Sequence, residues 1–104
     1  MDIEMLAALA QLQNEGQKAV LVTIVATRGS TPQKAGAQML VYQDGKIAGT
    51  IGGGCSEAEV RQQALLAMDE GRSYIYTVNL LDDIAAEEGM VCGGVMDVLL
   101  QVIA

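Results

Sequence analysis

"KAVLVTIVAT", residues 18–27, is almost uninterrupted in its apolar character and rich in Val, Ile and Thr. A β-branched run without polar alternation is the pattern of a strand covered on both faces, so it predicts the central strand of a sheet. Upstream, Ile3, Leu6 and Ala10, with Met5, Leu9 and Leu12 beside them, recur at helical spacing. With Asp2 as N-cap and Gly16 as stop, this predicts a helix over 3–15. Downstream, "RGSTPQKAG", residues 28–36, gathers Gly, Ser, Thr and the sole Pro into a loop. "AQMLVY" and "KIAGTI" then flank Asp44-Gly45, a dipeptide that accepts positive φ, so residues 37–51 read as a β-hairpin.

The hairpin runs into "GTIGGGCSEAEV", residues 49–60, where three consecutive glycines meet a cysteine. Ser56 followed by Glu59 is a capping-box pattern, and Val60, Ala64, Ala67 and Met68 form an apolar stripe ending at Gly71. A helix over 57–70 follows. "SYIYTVNL" reads as a strand, "LDDIAAEEGMVCGG" as an acidic connection ending in a second glycine-rich turn, and "VMDVLLQVIA" as the last strand. The sum is an α/β (mixed α+β) fold: a single small domain over 1–104, with a mixed sheet of about five strands, a β-hairpin and two helices packed against it.

Composition agrees with one compact domain and narrows its partners. At 104 residues, with 51% apolar side chains, the chain can bury a core that is largely aliphatic, since it has no Phe or Trp and only three Tyr. A net charge of −7 repels phosphate backbones and anionic membrane surfaces, which argues against nucleic acid and membrane as partners. No apolar run approaches a membrane span and the N-terminus is acidic, so the sequence reads as cytoplasmic. There Cys55 and Cys92 are expected as free thiols. With no histidine and no CxxC, a metal would have to arrive inside a cofactor.

Four features could carry chemistry. Gly52, Gly53 and Gly54, between a strand and a helix start, allow close backbone approach and an anion-friendly array of N–H groups, or they merely allow a sharp turn. Neither GxGxxG nor a P-loop lysine is present. Cys55 stands where a helix start would favour a thiolate, making it a nucleophile or soft ligand, or else it is a small buried hydrophobe. Cys92, in "GMVCGG", stands beside glycines that would let the backbone come close, so that two such turns could line one pocket, or it is a buried thiol at a strand-entry bulge. Arg28, Ser30, Thr31 and Lys34 hold two of the six basic residues in one short loop, suited to a phosphate or carboxylate or simply solvated. Asp82, Asp83, Glu87 and Glu88 read as a solvated acidic stretch. Without histidine no Cys-His nucleophile can be built, and hydrolytic catalysis is disfavoured.

Taken together, "TRGSTPQKAGAQMLV", "GTIGGGCSEAEV" and "GMVCGGVMDVLL" resemble the N-terminal domain of the XdhC/CoxI family, the xanthine dehydrogenase accessory proteins. The resemblance runs from Val20 to Leu100. It implies a chaperone without turnover of its own that transiently binds molybdenum cofactor (molybdopterin), supports its sulfuration with a cysteine desulfurase, and delivers it to the apoenzyme of a molybdenum hydroxylase of the xanthine dehydrogenase or carbon monoxide dehydrogenase type. Carried over as motif positions are Arg28, Gly29, Ser30, Thr31, Pro32, Gly36, Gly52, Gly53, Gly54, Cys55 and Glu57; all of these but Pro32, together with Cys92, are expected to bind the cofactor. Cys55 would meet the metal through the bound cofactor. The C-terminal Rossmann-like domain of many members is absent from these 104 residues. Two alternatives stay open: a thiol-based sulfur carrier or redox protein using Cys55, and a ligand-free structural partner, as a homodimer or with a separately encoded Rossmann-like domain.

Overall fold

The computed structural model describes residues 3–80 and 93–103, within which two helices lie against one five-stranded sheet. The elements are α1 (Ile3–Glu15), β1 (Ala19–Arg28), β2 (Gln38–Tyr42), β3 (Ile47–Gly49), α2 (Gly54–Glu70), β4 (Tyr74–Asn79) and β5 (Val95–Ile103). Strand order is β3-β2-β1-β5-β4, so the β-branched run is central as expected. Every pairing is antiparallel, so the α+β fold and five strands stand as expected while the mixed sheet is corrected to an antiparallel one.

The continuous apolar run of β1 has its reason in the two layers that sandwich it. Val20, Val22 and Ile24 pack with Val60, Ala64, Ala67 and Met68 of α2 and with Met96, Val98 and Leu100 of β5. Ala19 and Leu21, on the opposite face, pack with Met5 and Leu12 of α1 and with Leu40. The stripe predicted for α2 is therefore its buried face. On α1 the stripe is displaced: Met5 and Leu12 are buried, whereas Ile3 and Leu6 are 83% and 59% exposed.

The segment α2 starts beyond one edge strand, β3, and ends before the other, β4. Seventeen residues give a helix about 25 Å long, enough to cross five strands spaced about 4.8 Å apart. Two tyrosine hydroxyls of β4 hold its far side. Tyr74 donates to the Gln63 side-chain oxygen at 3.0 Å, and Tyr76 donates to the Glu59 carboxylate one helical turn earlier. Tyr76→Phe should lower stability by about 1–2 kcal/mol, because the carboxylate loses a charge-assisted partner. A shifted urea midpoint at unchanged slope would register it, and an unshifted midpoint would show that water replaces the hydroxyl at no cost.

In β1, Ile24 pairs with Val98 of β5 and Ala26 with Asp97, leaving Val25 as an extra residue and 44% exposed. This is a β-bulge, and it inverts the faces beyond it. Thr27 now pairs with Met96, which faces α2, so Ala26 and Arg28 lie on the opposite face with Asp97. Arg28 Nη1 sits 3.4 Å from Asp97 Oδ2, and Thr77 donates to Asp97 Oδ1 at 2.8 Å.

Candidate functional site

Three glycine-bearing stretches meet at the end of the sheet where β1 finishes and β5 begins. The loop 29–36 leaves β1 there and is tied back by Gly36 N donating to Ile24 O at 2.7 Å and Ile24 N donating to Ala37 O at 2.9 Å. A Cβ built on Gly94 would stand 2.3 Å from Ser30 O and 2.8 Å from Arg28 O, so the two backbones are in contact. Gly29 closes the same seam, its notional Cβ lying 3.1 Å from Gly93 O. On the other side of the loop, a Cβ on Gly52 would fall 2.5 Å from Pro32 Cγ. The three motifs singled out in the sequence are one interlocked structure.

Within the turn, Gly52, Gly53 and Gly54 have φ of 130°, 76° and 70°. Three successive left-handed residues reverse the chain from β3 into α2, a path that side-chain-bearing residues rarely adopt. A Cβ on Gly53 or Gly54 would meet nothing within 4 Å among the described residues, so bare backbone is presented to open space there. Gly53 is the N-cap, and α2 begins three residues before the expected start. The Ser56–Glu59 capping box is therefore corrected. Ser56, buried inside the first turn, donates its hydroxyl to Gly53 O at 3.2 Å, and Glu59 receives Tyr76.

The carboxylate that reaches back is that of Glu57. Its Oε2 accepts from Thr50 Oγ1 at 2.6 Å, from Gly53 N at 2.9 Å and from Ile51 N at 3.3 Å, while Gly52 N donates to Thr50 Oγ1 at 3.0 Å. Of the three glycine amides expected as anion donors, those of Gly52 and Gly53 are thus already engaged, as is that of Ile51 before them. The N–H groups remaining at the helix start belong to Gly54, Cys55 and Ser56. Sequence reasoning counted Glu57 among the cofactor-binding motif positions and missed this task; the signal for it was a carboxylate three residues after a glycine run.

The structure separates Arg28 from this turn. Its side chain lies on the face away from α2, paired with Asp97 and 64% exposed, while its backbone borders Gly94. Asp97 is the residue that sequence reasoning missed, because only the bulge brings it beneath Arg28. Thr31 turns its hydroxyl onto Gln33 O at 2.8 Å, closing its own loop. Cys55 lies in the first turn of α2, whereas Cys92 and the acidic group Asp82, Asp83, Glu87 and Glu88 lie outside the described residues. Among the described residues no group of three or more Cys, Asp or Glu could hold a metal ion, and no helix is long and apolar enough to cross a membrane. Two surface grooves run along Gln17 and Tyr42, at the opposite end of the sheet.

The sequence model of the XdhC and CoxI family matches residues 12–79, well over half of the chain. A protein of Escherichia coli named molybdenum cofactor insertion chaperone PaoD is 47% identical over 57 residues, 55% of this chain and 18% of that one. A Bacillus subtilis protein, named as a probable subunit of xanthine dehydrogenase, is 38% identical over 96 residues, 90% of this chain and 28% of that one. The crystal structure of a xanthine dehydrogenase from Bacillus halodurans superposes with a TM-score of 0.79 at 31% identity, covering 94% of this chain and 30% of that one. The chain spans less than a third of the length of each.

Proposed function

The chain belongs to the XdhC and CoxI family, and from that premise we propose that it is a molybdenum-cofactor accessory domain whose glycine-bearing sheet end holds the cofactor for transfer. What supports the assignment is the interlock of Gly94 with the Ser30 backbone and of Gly52 with the Pro32 ring, which packs three distant stretches together at one end of the sheet. A flat pterin suits the bare glycine surface there, because Gly53 and Gly54 allow approach to main-chain distance. The cofactor would supply a dithiolene-bound metal, and Cys55, in the first turn of α2, is the residue we assign to meet or shield it.

The roles within the motif divide accordingly. Gly54, Cys55 and Ser56 offer the helix-start amides to the anionic part of the cofactor, in place of the engaged amides of Ile51 to Gly53. Gly29, Ser30, Thr31 and Gly36 shape the loop that walls the surface, and Cys92, next to Gly93 in sequence, is assigned with them as a cofactor contact. Arg28, tethered to Asp97, contributes positive charge at the rim of the opposite face. In this proposal a cysteine desulfurase supplies sulfur to the held cofactor, and the apoenzyme of a molybdenum hydroxylase receives it. A second copy or a separately encoded Rossmann-like domain completes the assembly.

Anaerobic titration of the purified chain with molybdenum cofactor tests the assignment. Saturable binding is expected, with an affinity at least tenfold weaker in Cys55→Ala, equivalent to about 1.4 kcal/mol. Absence of binding by the unaltered chain would refute the assignment, and an equal affinity in Cys55→Ala would remove the cysteine from it.

A further inference from the structure

Glu57 does something other than touch a ligand. One carboxylate oxygen receives three donors, Thr50 Oγ1, Ile51 N and Gly53 N, and through Thr50 it also fixes Gly52 N. Glycine loses more backbone freedom on ordering than any other residue, and here three in a row are held at positive φ. Neither Gly53 nor Gly54 is wedged by a neighbour among the described residues, and Gly52 is restrained only by Pro32. Packing alone therefore leaves the turn under-determined, and the converging hydrogen bonds are what determine it. The charge also suits its place, since a carboxylate beside the N-terminus of α2 complements the helix dipole.

We propose that Glu57 is the positioning residue of the glycine turn, an internal anion seated on the amides of Ile51 and Gly53 and, through Thr50, holding that of Gly52. Its carboxylate sets the backbone path on which Gly54 and Cys55 are presented, and it denies the amides of Ile51, Gly52 and Gly53 to any outside anion. A ligand at this sheet end is then selected by the bare glycine surface and by the helix-start amides beyond Gly53. This last consequence rests on the function proposed above; the seating of Glu57 does not.

Two variants of the intact chain test it. In Glu57→Ala the seat is empty, so the melting temperature should fall by about 10 °C. Acetate should restore part of the loss where chloride at equal ionic strength does not, and neither salt should distinguish itself on the unaltered chain. An unchanged melting temperature, or equal effects of acetate and chloride on Glu57→Ala, would overturn the proposal. Should that variant fail to fold, Glu57→Gln keeps the size and one acceptor oxygen while removing the charge. Its amide exchange should quicken at least tenfold at Ile51, Gly52 and Gly53 and stay unchanged at Val22 and Leu100; unaltered exchange in the turn would overturn the proposal. None of these measurements involves cofactor, so a chain that fails to bind molybdenum cofactor yet shows acetate rescue would refute the proposed function alone. If the chain does bind it, Glu57→Gln should weaken the affinity severalfold, and an equal affinity would remove the turn from ligand selection.

Discussion

Gly94→Ala is expected to remove a large part of the stability of this domain. The added carbon would lie 2.3 Å from Ser30 O, 2.8 Å from Arg28 O and 2.8 Å from Ser30 C, all of them backbone atoms. Gly94 does not have a positive φ, so the effect is steric and owes nothing to conformational preference. Relief would require the end of β1 to part from the start of β5, where Arg28 pairs with Val95 and Leu80 N donates to Gly94 O at 3.0 Å. A cost above about 4 kcal/mol is expected, against a total of about 5–15 kcal/mol for a domain of this kind. Circular dichroism during heating reads it: a fall of about 20 °C or outright failure to fold is expected, and a melting point within a few degrees of the original would contradict the seam.

Gly52→Ala should follow it closely, for a different mixture of reasons. Its φ of 130° is foreign to a side-chain-bearing residue, and the new carbon would stand 2.5 Å from Pro32 Cγ and 2.8 Å from Pro32 Cβ. Together these should cost about 3 kcal/mol. The two causes can be separated, because Pro32→Gly removes the clash and leaves the backbone preference. In the Pro32→Gly background, Gly52→Ala should therefore cost about 1–2 kcal/mol less than in the original, measured by urea unfolding. Equal costs in both backgrounds would show that the "RGSTP" loop does not rest on the glycine turn in solution.

Much of the fold was legible because burial leaves a signature in composition. The strand β1 is apolar at nearly every position, and α1 and α2 do cover its two faces. The Asp44-Gly45 turn and the stop at Gly71 were equally plain, since φ is positive at both glycines. The orientation of α1 was not. Its apolar residues surround much of the helix, so Ile3 and Leu6 or Met5 and Leu12 could each have formed the inner stripe. Only the position of Ala19 and Leu21 beneath the helix chooses between them.

The site shows the same division between local and distant information. Cys55 and the three glycines announce an unusual helix start, but two carboxylates stood nearby and the familiar spacing favoured Glu59. The turn geometry instead hands the cap to Gly53 and the back-reaching carboxylate to Glu57. The meeting of Gly94 with Ser30 joins residues far apart in the chain, and no local pattern records such a contact. Arg28 and the glycine turn looked like neighbours in sequence chemistry, and the sheet lies between the guanidinium and α2.

That separation follows from the surplus of a single residue at Val25. Side chains along a strand are sorted by odd and even position, so a charge is assigned to a face by counting. In β1 the count is broken once, after Ile24, and the break sends Arg28 to Asp97, which Thr77 also holds, instead of into the aliphatic layer under α2. The identity of Val25 is secondary to its presence. Side-chain replacements there leave the assignment intact, whereas regular pairing without the bulge would set Val25 opposite Asp97 and Ala26 opposite Met96 and turn Arg28 to the face that α2 covers. The distribution of charge around the glycine-bearing end is thus written in the pairing register of β1 across the bulge.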